Sequence, residues 1–354
     1  MLGSASIGRA ALQAALTLLG ITIVMFLLFS VLPGDPARLM AGRHANDDQV
    51  ELIRKDMGLD QPVPVQFAYF LNDLSPFAFV REEKTMSDWE VLVDVPIGET
   101  HMVLKWPYFR RSYVNGVKVG DLIKEGFPET FVLAISAIFV ALLIGIPLGI
   151  KGARNPGSWI DQGISIMSSA GLAVPSFLLA ILIGWVFGYL LSDYTGLKMT
   201  GSLFTYDVYQ GKEVLTLQNI VLPALTLSIR PICVMSQLMR ESMTTVLSAD
   251  YIRTARAKGL KEDDVIYKHA LINALSPTVT ASATWLAALL AGSVFVEYVF
   301  GWNGLGQVIV KAIEFQDFPV IIGLTLVISL SFVVINWLLT FIYPMLDPRL
   351  RTGN

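Results

Sequence analysis

Long charge-free runs organise this chain. Between Arg9 and Asp35 lie 25 residues without a charge. Runs of 21, 31, 28 and 29 residues lie between Glu129 and Lys151, Asp161 and Asp193, Lys268 and Glu297, and Asp317 and Asp347. A sixth, of 26 residues between Glu213 and Arg240, is interrupted once, by Arg230. A spanning helix needs about 20 mostly apolar residues. The pattern therefore predicts six spans, near 10–32, 129–150, 164–191, 217–239, 278–298 and 318–343. The run Ala10–Leu32 is too long for the apolar region of a signal peptide, and Pro33-Gly34-Asp35 follows it in place of a small-residue cleavage site, so a retained span is expected. Pro175 is expected to kink the third span.

Other segments carry shorter periods. Residues 46–57 repeat Val50, Ile53 and Met57 at helical spacing, with Asn46 or Asp47 as cap and Gly58 as stop. Gln61-Pro62-Val63-Pro64 reads as an extended turn. In 89–95, Trp89, Val91, Val93 and Val95 alternate as in a strand, and 101–106 can pair with it across Pro96–Thr100. A hairpin alone is marginal, so it leans either on the rim of the membrane domain or on a soluble partner.

Composition agrees with the runs. The 354 residues are 54% hydrophobic and only 16% charged, with a net charge of −3 and a mean hydropathy of +0.59. That excludes a disordered chain, an ordinary soluble enzyme and a basic nucleic-acid binder. Cys233 is the single cysteine, so no internal disulfide forms, and its apolar surroundings predict a buried, inert thiol. His44, His101 and His269 form no local metal motif. Orientation follows from Lys and Arg in the short loops. With the N-terminus cytoplasmic, eleven lie inside and three (Lys198, Lys212 and Lys311) outside. Both termini are then cytoplasmic, 33–126 is an extracytoplasmic loop domain, 127–343 forms the rest of the membrane core, and 344–354 is a cytoplasmic tail.

The cytoplasmic stretch 240–276 mixes six basic and five acidic residues. Its pattern is helix, Gly259, helix. Ser248 is expected to cap the first piece and Gly259 to end it in the left-handed region. Lys261–Ala274 forms the second, with Val265, Ile266, His269, Ala270 and Ala274 near one face. Pro277 stops that piece or opens the fifth span. Such a pair can enter a groove on another protein, with Ala255, Ala257 and Gly259 permitting close approach, or it can lie on the lipid surface.

ADYIRTARAKGLKEDDVIYKHALINALSP (249–277) resembles the cytoplasmic coupling motif of binding-protein-dependent ABC importer permeases, in its oligopeptide/dipeptide form. LPGDPARLMAG (32–42), MGLDQPVPVQ (57–66), IGIPLGI (144–150), VPSFLLAILI (174–183), LPALTL (222–227), VFVEYVFGWNGLGQVIVKAI (294–313) and LDPRLR (346–351) resemble further blocks of the same subfamily, in the same order. The chain is most similar to the first of the two permeases paired in such transporters. The general motif begins Glu-Ala-Ala with Gly four residues later. Here Arg253-Thr254-Ala255 and Gly259 fill those places, and Arg in the first is typical of the oligopeptide branch. Residues 75–105 have no counterpart in the usual, shorter loop.

The resemblance implies an all-α integral membrane protein with the six-helix type I ABC importer permease fold and an α+β loop after the first helix. It implies a multi-pass protein of the bacterial inner membrane, working with a second permease as heterodimer, two cytoplasmic ABC ATPases and an extracytoplasmic solute-binding protein. Di- or oligopeptides are the expected cargo, with nickel, glutathione or opine-like solutes as alternatives. ATP and Mg belong to the ATPases; no cofactor, metal or catalytic residue is expected on this chain. Accordingly, no G-x-x-x-x-G-K-S/T sequence occurs, and Gly211-Lys212 lacks the upstream glycine. Tyr251, Arg253, Thr254, Ala255, Lys258, Gly259 and Leu260 are the expected ATPase-coupling residues.

Two further positions invite a role. Arg230 lies ten residues before Arg240, about 15 Å along a helix, deep enough that it must face protein or water. It lines the path and meets a substrate carboxylate or carbonyl, or it pairs structurally. Pro231 beside it leaves the Leu227 carbonyl without its helical donor. Glu297, with Trp302, Asn303 and Gly304, shapes an outer gate or sits at the headgroups. An intramembrane protease would need a Ser–His or Asp–Asp pair inside spans, and none occurs. A self-sufficient secondary transporter would show an inverted repeat and buried acidic residues, whereas only Arg230 is charged at depth.

Overall fold

The computed structural model describes residues 4–31, 36–41, 46–56, 58–80, 88–98, 100–207 and 211–346. Two compact units divide the chain. One takes Met1–Leu16, Gly126–Gln307 and Ile328–Asn354; the other takes Thr17–Glu125 and Val308–Val327.

Helix α1 (Ser4–Val31) carries the first apolar run, and Ala11–Leu28 is its membrane-compatible stretch. Helices α2 (Pro36–Ala41) and α3 (Asp47–Asp56) follow. Asn46 is the cap of α3. Its Oδ1 accepts the Gln49 N–H at 2.9 Å, and Gln49 Oε1 accepts the Asn46 N–H at 3.2 Å, a reciprocal capping box. Gly58 turns the chain at φ +65°. Residues 32–35 and Met57 lie outside the described residues. The expected extended turn at Gln61–Pro64 is in fact a helix start: Pro62 is the cap of α4 (Val63–Leu74). Proline is disfavoured inside helices but suits their first turn, where its missing N–H has no partner to lose.

Strands β1 (Phe77–Val80), β2 (Val91–Ile97) and β3 (Thr100–Lys105) form an antiparallel sheet in the order β1-β3-β2. The expected hairpin is present, joined by a third strand. A register shift between Val91 and Val93 interrupts the alternation, and Trp89 lies outside the strand, buried against Ala78, Val80 and Tyr108. Lys105 is 1% exposed. Its ammonium donates to the Asp73 carbonyl and stands 4.3 Å from the Trp89 ring centroid. The core of this unit joins α1, α4, Phe109 and the start of the helix over Phe318–Leu346: Phe26, Phe70 and Leu326 with Ile21, Phe67, Leu74, Phe109 and Ile322.

Helix α5 (Val119–Arg154) holds the second apolar run. The third run breaks into α6 (Trp159–Ala173) and α7 (Ser176–Trp185), the latter continued by a wide turn over Val186–Leu190; the two arms meet at 102°. This exceeds the expected kink. Val174 is extended because the residue before proline is driven out of the helical region, and Pro175 has no N–H to bridge the gap. Helix α8 (Ser192–Thr195), a hairpin of β4 (Phe204–Asp207) and β5 (Lys212–Leu215), and α9 (Val221–Leu247) come next. Then come α10 (Asp250–Ala257), the short α11 (Glu262–Asp264), a wide turn over Val265–Ala270, and α12 (Leu271–Gly292). Helices α13 (Val294–Phe300), α14 (Leu305–Glu314) and α15 (Phe318–Leu346) complete the described chain.

Among the described residues, five helical runs suit a membrane crossing, and six if the bent pair is one span. The fifth runs from Glu262 to Gly292, earlier than the expected 278–298. Pro277 neither stops nor opens it, because it sits inside α12. Of the terminal LDPRLR block, residues 347–351 lie outside the described residues.

Close packing of α5 on α9 depends on glycine. A Cβ on Gly149 would stand 2.5 Å from Met239 Cβ and 2.7 Å from the Ser236 carbonyl oxygen, and one on Gly145 2.9 Å from Met235 Cβ. Glycines four apart allow two spans to approach backbone to backbone.

Candidate coupling surface and membrane path

The stretch after α9 begins differently from the expectation. Ser248 closes α9, its hydroxyl donating to the Thr245 carbonyl at 2.7 Å, while Ala249 is the extended residue that opens α10. Gly259 has φ +75°, as the helix–Gly–helix pattern requires. The second piece does not stop at Ala274; it flows through the wide turn directly into α12.

Helix α10 is split lengthwise. Ile252 and Ala255 point into a cluster with Ile150 and Ala153 of α5, Met239 and Met243 of α9, and Val265, Ile266, Ala270 and Ala274. Tyr251, Arg253, Thr254, Lys258, Gly259 and Leu260 are exposed. Ala255 therefore seats the helix from beneath, whereas the other six form the outer ridge of α10 and the turn that follows it. His269, expected on the inner face, is exposed. Ion pairs brace the turn: Arg256 to Glu262 at 2.7 Å and Arg154 to Asp263 at 3.2 Å. The Glu262 carboxylate raises the Arg256 guanidinium above its ordinary range by hydrogen bonding. Asn273 Nδ2 donates to the Tyr251 hydroxyl at 2.9 Å. The result is a rigid, polar ridge on an apolar plug built from three spanning helices.

Arg230 is half-buried on α9. Its Nη2 donates to the Leu172 carbonyl at 3.0 Å, one residue from the end of α6. Its Nε is buried without a hydrogen-bond partner among the described residues. Arg230 thus stands at the break between α6 and α7, with one donor engaged and another desolvated and free. Two further rungs tie α6 to α9. Ser168 donates to the Cys233 carbonyl at 3.0 Å, and Asp161 pairs with Arg240. Cys233 itself is buried, its thiol donating to the Met167 carbonyl at 3.3 Å.

Glu297 and Trp302 are 0% exposed, whereas Asn303 is on the surface. Glu297 accepts the Ser293 hydroxyl at 2.6 Å and the Gly306 N–H at 2.7 Å. Trp302 Nε1 donates to the Glu129 carbonyl at 3.1 Å, and the Asn303 N–H donates to Ser202 Oγ at 3.0 Å. Glu129 Oε2 in turn accepts the Ser202 hydroxyl at 3.2 Å. These residues fasten the 301–306 loop from within. Thr130 Oγ1 likewise accepts the Leu305 N–H at 2.8 Å. Of the partners Glu129, Thr130 and Ser202, only Glu129 left a signal in the sequence, a carboxylate at the edge of an apolar run.

In the other unit, burial pulls the Lys105 ammonium down to about 8, opposed by the neighbouring Asp73 charge. Burial raises Asp73 despite Arg110, whose Nε donates to it at 3.0 Å. Among the described residues no three His, Cys, Asp or Glu side chains gather as a metal site.

Residues 130–352 match the family described as binding-protein-dependent transport system inner membrane component, and residues 6–134 match the N-terminal component of the same systems. The chain is 35% identical over 353 residues to the probable D,D-dipeptide transport system permease protein DdpB of Escherichia coli, covering 96% of this chain and 95% of that one. It is 36% identical over 335 residues to the glutathione transport system permease protein GsiC of Pectobacterium atrosepticum, with 95% of each covered. A putative peptide transport system permease protein of Brucella abortus is 34% identical over 339 residues, with 96% of each covered.

Proposed function

We propose how this chain, which belongs to the family of binding-protein-dependent transport system inner membrane components, does its work. It is a multi-pass inner-membrane permease of an ABC importer with the type I permease fold. Its cargo, in this reading, is a short peptide or a peptide-like molecule such as glutathione, the substrates named for its relatives. The chain performs no chemistry. ATP and Mg bind to two partner ATPases on the cytoplasmic side, where both termini also lie. A second, different permease completes the path, and an extracytoplasmic binding protein delivers the solute.

One observation carries the coupling half of this reading: α10 and the turn after it present Tyr251, Arg253, Thr254, Lys258, Gly259 and Leu260 outward while Ile252 and Ala255 fix α10 to α5, α9 and α12. A short helix seated in an ATPase groove transmits displacement because packed elements move as units. Here the push reaches three spans through a single plug. Charges on the ridge set register and partner choice more than affinity.

Arg230 supplies the chemistry expected of a peptide path. A guanidinium with a desolvated, unpaired donor favours a carboxylate or carbonyl acceptor, and a peptide brings both. Glu297 and Trp302 support the adjoining loop and make no contact with cargo; Asn303, alone of the three, reaches the surface.

The test is affinity purification of the tagged chain in detergent, with mass spectrometry of the co-purifying proteins and an ATPase assay. A second permease and ATPase subunits are expected. Gly259→Trp should lose the ATPases while retaining the second permease. A chain that purifies alone, hydrolyses no ATP with any companion and still moves solute in liposomes would overturn the reading.

A further inference from the structure

The sheet β1-β3-β2 has one buried face and one bare face. Ala78, Val80 and Val103 point to the buried side. On the other side the register places Phe77 beside Leu104 and Phe79 beside Met102, and these beside Val93 and Val95 of β2. Phe77 is 62% exposed and Phe79 66%. Six apolar side chains thus form a continuous surface with no charge on it. By alternation along β3, Trp106 (61% exposed) continues the same face at its end.

We propose that this face rests on the outer leaflet of the membrane, with acyl-chain and glycerol-level lipid as its occupant. The argument is continuity with the lipid-spanning part of the same unit. Phe26 lies within the membrane-compatible stretch of α1. Its ring sits 5.0 Å from that of Phe67 and stacks on that of Phe70 at 5.6 Å, both on α4. Helix α4 is therefore held at the edge of the hydrocarbon. Phe67, Phe70 and Leu74 pack inward, while Val63, Val65, Ala68 and Tyr69 leave an exposed apolar strip along it. Its polar groups Gln66 and Asp73 are engaged, Gln66 donating to the Leu59 and Gln61 carbonyls and Asp73 pairing with Arg110, so the exposed strip of the helix is apolar. Strand β1 begins three residues after α4 ends. From Phe70 to Phe77 the chain reaches about 16 Å at most, so the sheet stays close to the level that α4 defines.

Chemistry separates lipid from the competing occupants. A binding protein that docks and leaves in each cycle would strand this patch in water between visits, and soluble proteins rarely expose contiguous apolar patches of that kind. Interfaces of such transient partners are also no more apolar than ordinary surface. A bilayer covers the face permanently. Trp106 and Tyr69, each with an apolar body and a polar tip, suit the headgroup boundary.

The test places p-benzoylphenylalanine at Phe77, Phe79 or Asp94 of the full-length chain in membranes containing radiolabelled phospholipid, followed by irradiation. Asp94 faces the reverse of the sheet by register. Labelled lipid should join the chain at Phe77 and Phe79, several-fold above Asp94. Adducts at Phe77 and Phe79 with another protein, identified by mass spectrometry, would overturn the proposal in favour of a protein cover. Equal, low lipid labelling at all three positions would overturn it in favour of a water-facing sheet. Using two separate positions guards against one variant folding poorly.

Discussion

Ile252 is the residue on which α10 is hung, and Ile252→Ala is the sharpest test of the plug. The side chain is 0% exposed and packs among residues of α5, α9 and α12. Besides Ile252, only Ala255 of α10 is buried. Truncating a buried isoleucine costs about 3 kcal/mol in transfer and cavity terms. An eight-residue helix has negligible stability of its own, so the loss falls on docking of α10 rather than on the spans. At 1.4 kcal/mol per factor of ten, the open population rises about a hundredfold. Hydrogen exchange on the purified transporter should show amides of 252–258 exchanging about a hundred times faster, with those of α9 unchanged. Uptake in proteoliposomes should fall while ATP hydrolysis becomes insensitive to cargo. Thr254→Ala, on the exposed ridge, should leave protection unaltered. Unchanged exchange at 252–258 in the Ile252 variant would refute the claim that this side chain seats α10.

Other changes probe other parts. Gly149→Leu drives a side chain into Met239 and the Ser236 carbonyl, a backbone obstacle that cannot yield; a loss of about 3 kcal/mol should appear as a lower melting temperature of the purified complex. Arg230→Gln should leave assembly intact and weaken uptake about thirtyfold, chiefly through KM, as expected for losing a charge-assisted hydrogen bond of about 2 kcal/mol; Arg230→Lys should recover part of it. The Lys105 pKa lies below its ordinary value, at about 8, so the unfolded unit binds the extra proton and the sheet gains stability as pH rises above 8. Hydrogen exchange of β3 should slow between pH 8 and 9.5 after correction for intrinsic rates, and Lys105→Met should abolish that dependence. Above about pH 10 Tyr108 works the other way, because burial and Asp88 hold its phenol protonated in the fold.

Local patterns were legible and long-range ones were not. Gly259 announced its left-handed turn, and Asn46 or Asp47 the start of α3, because such signals act within four residues; the reciprocal bond from Gln49 settles the cap on Asn46. Six apolar runs were read from charge alone. The failures share a cause. Gln61–Pro64 was read as an extended turn, and Pro277 as the stop of one helix or the opening of the next, yet the effect of a proline depends on whether its lost N–H had a partner. Ser248 was read as opening α10, when its hydroxyl serves the helix before it. The hold of the Glu129 carbonyl on Trp302, 173 positions away, has no local signal. Arg230 was recognised as deep, but Leu172, 58 positions away, was unforeseeable from spacing.

Two interruptions of the membrane helices stand at one level. The α6–α7 joint at Val174–Pro175 has no helical continuity, and Pro231 interrupts the hydrogen bonding of α9 directly beside it, with Arg230 bridging to Leu172. On the α10 side of that level, α6 and α9 are bolted together through Ser168–Cys233 and Asp161–Arg240. The geometry is that of a lever with its fulcrum at Arg230. From there to Ser248 the arm is about 27 Å, so a tilt of about 5° at the fulcrum carries α10 through about 2 Å. The residue proposed above to meet cargo would then also sit at the pivot of the stroke, where its own position hardly changes as the far end swings.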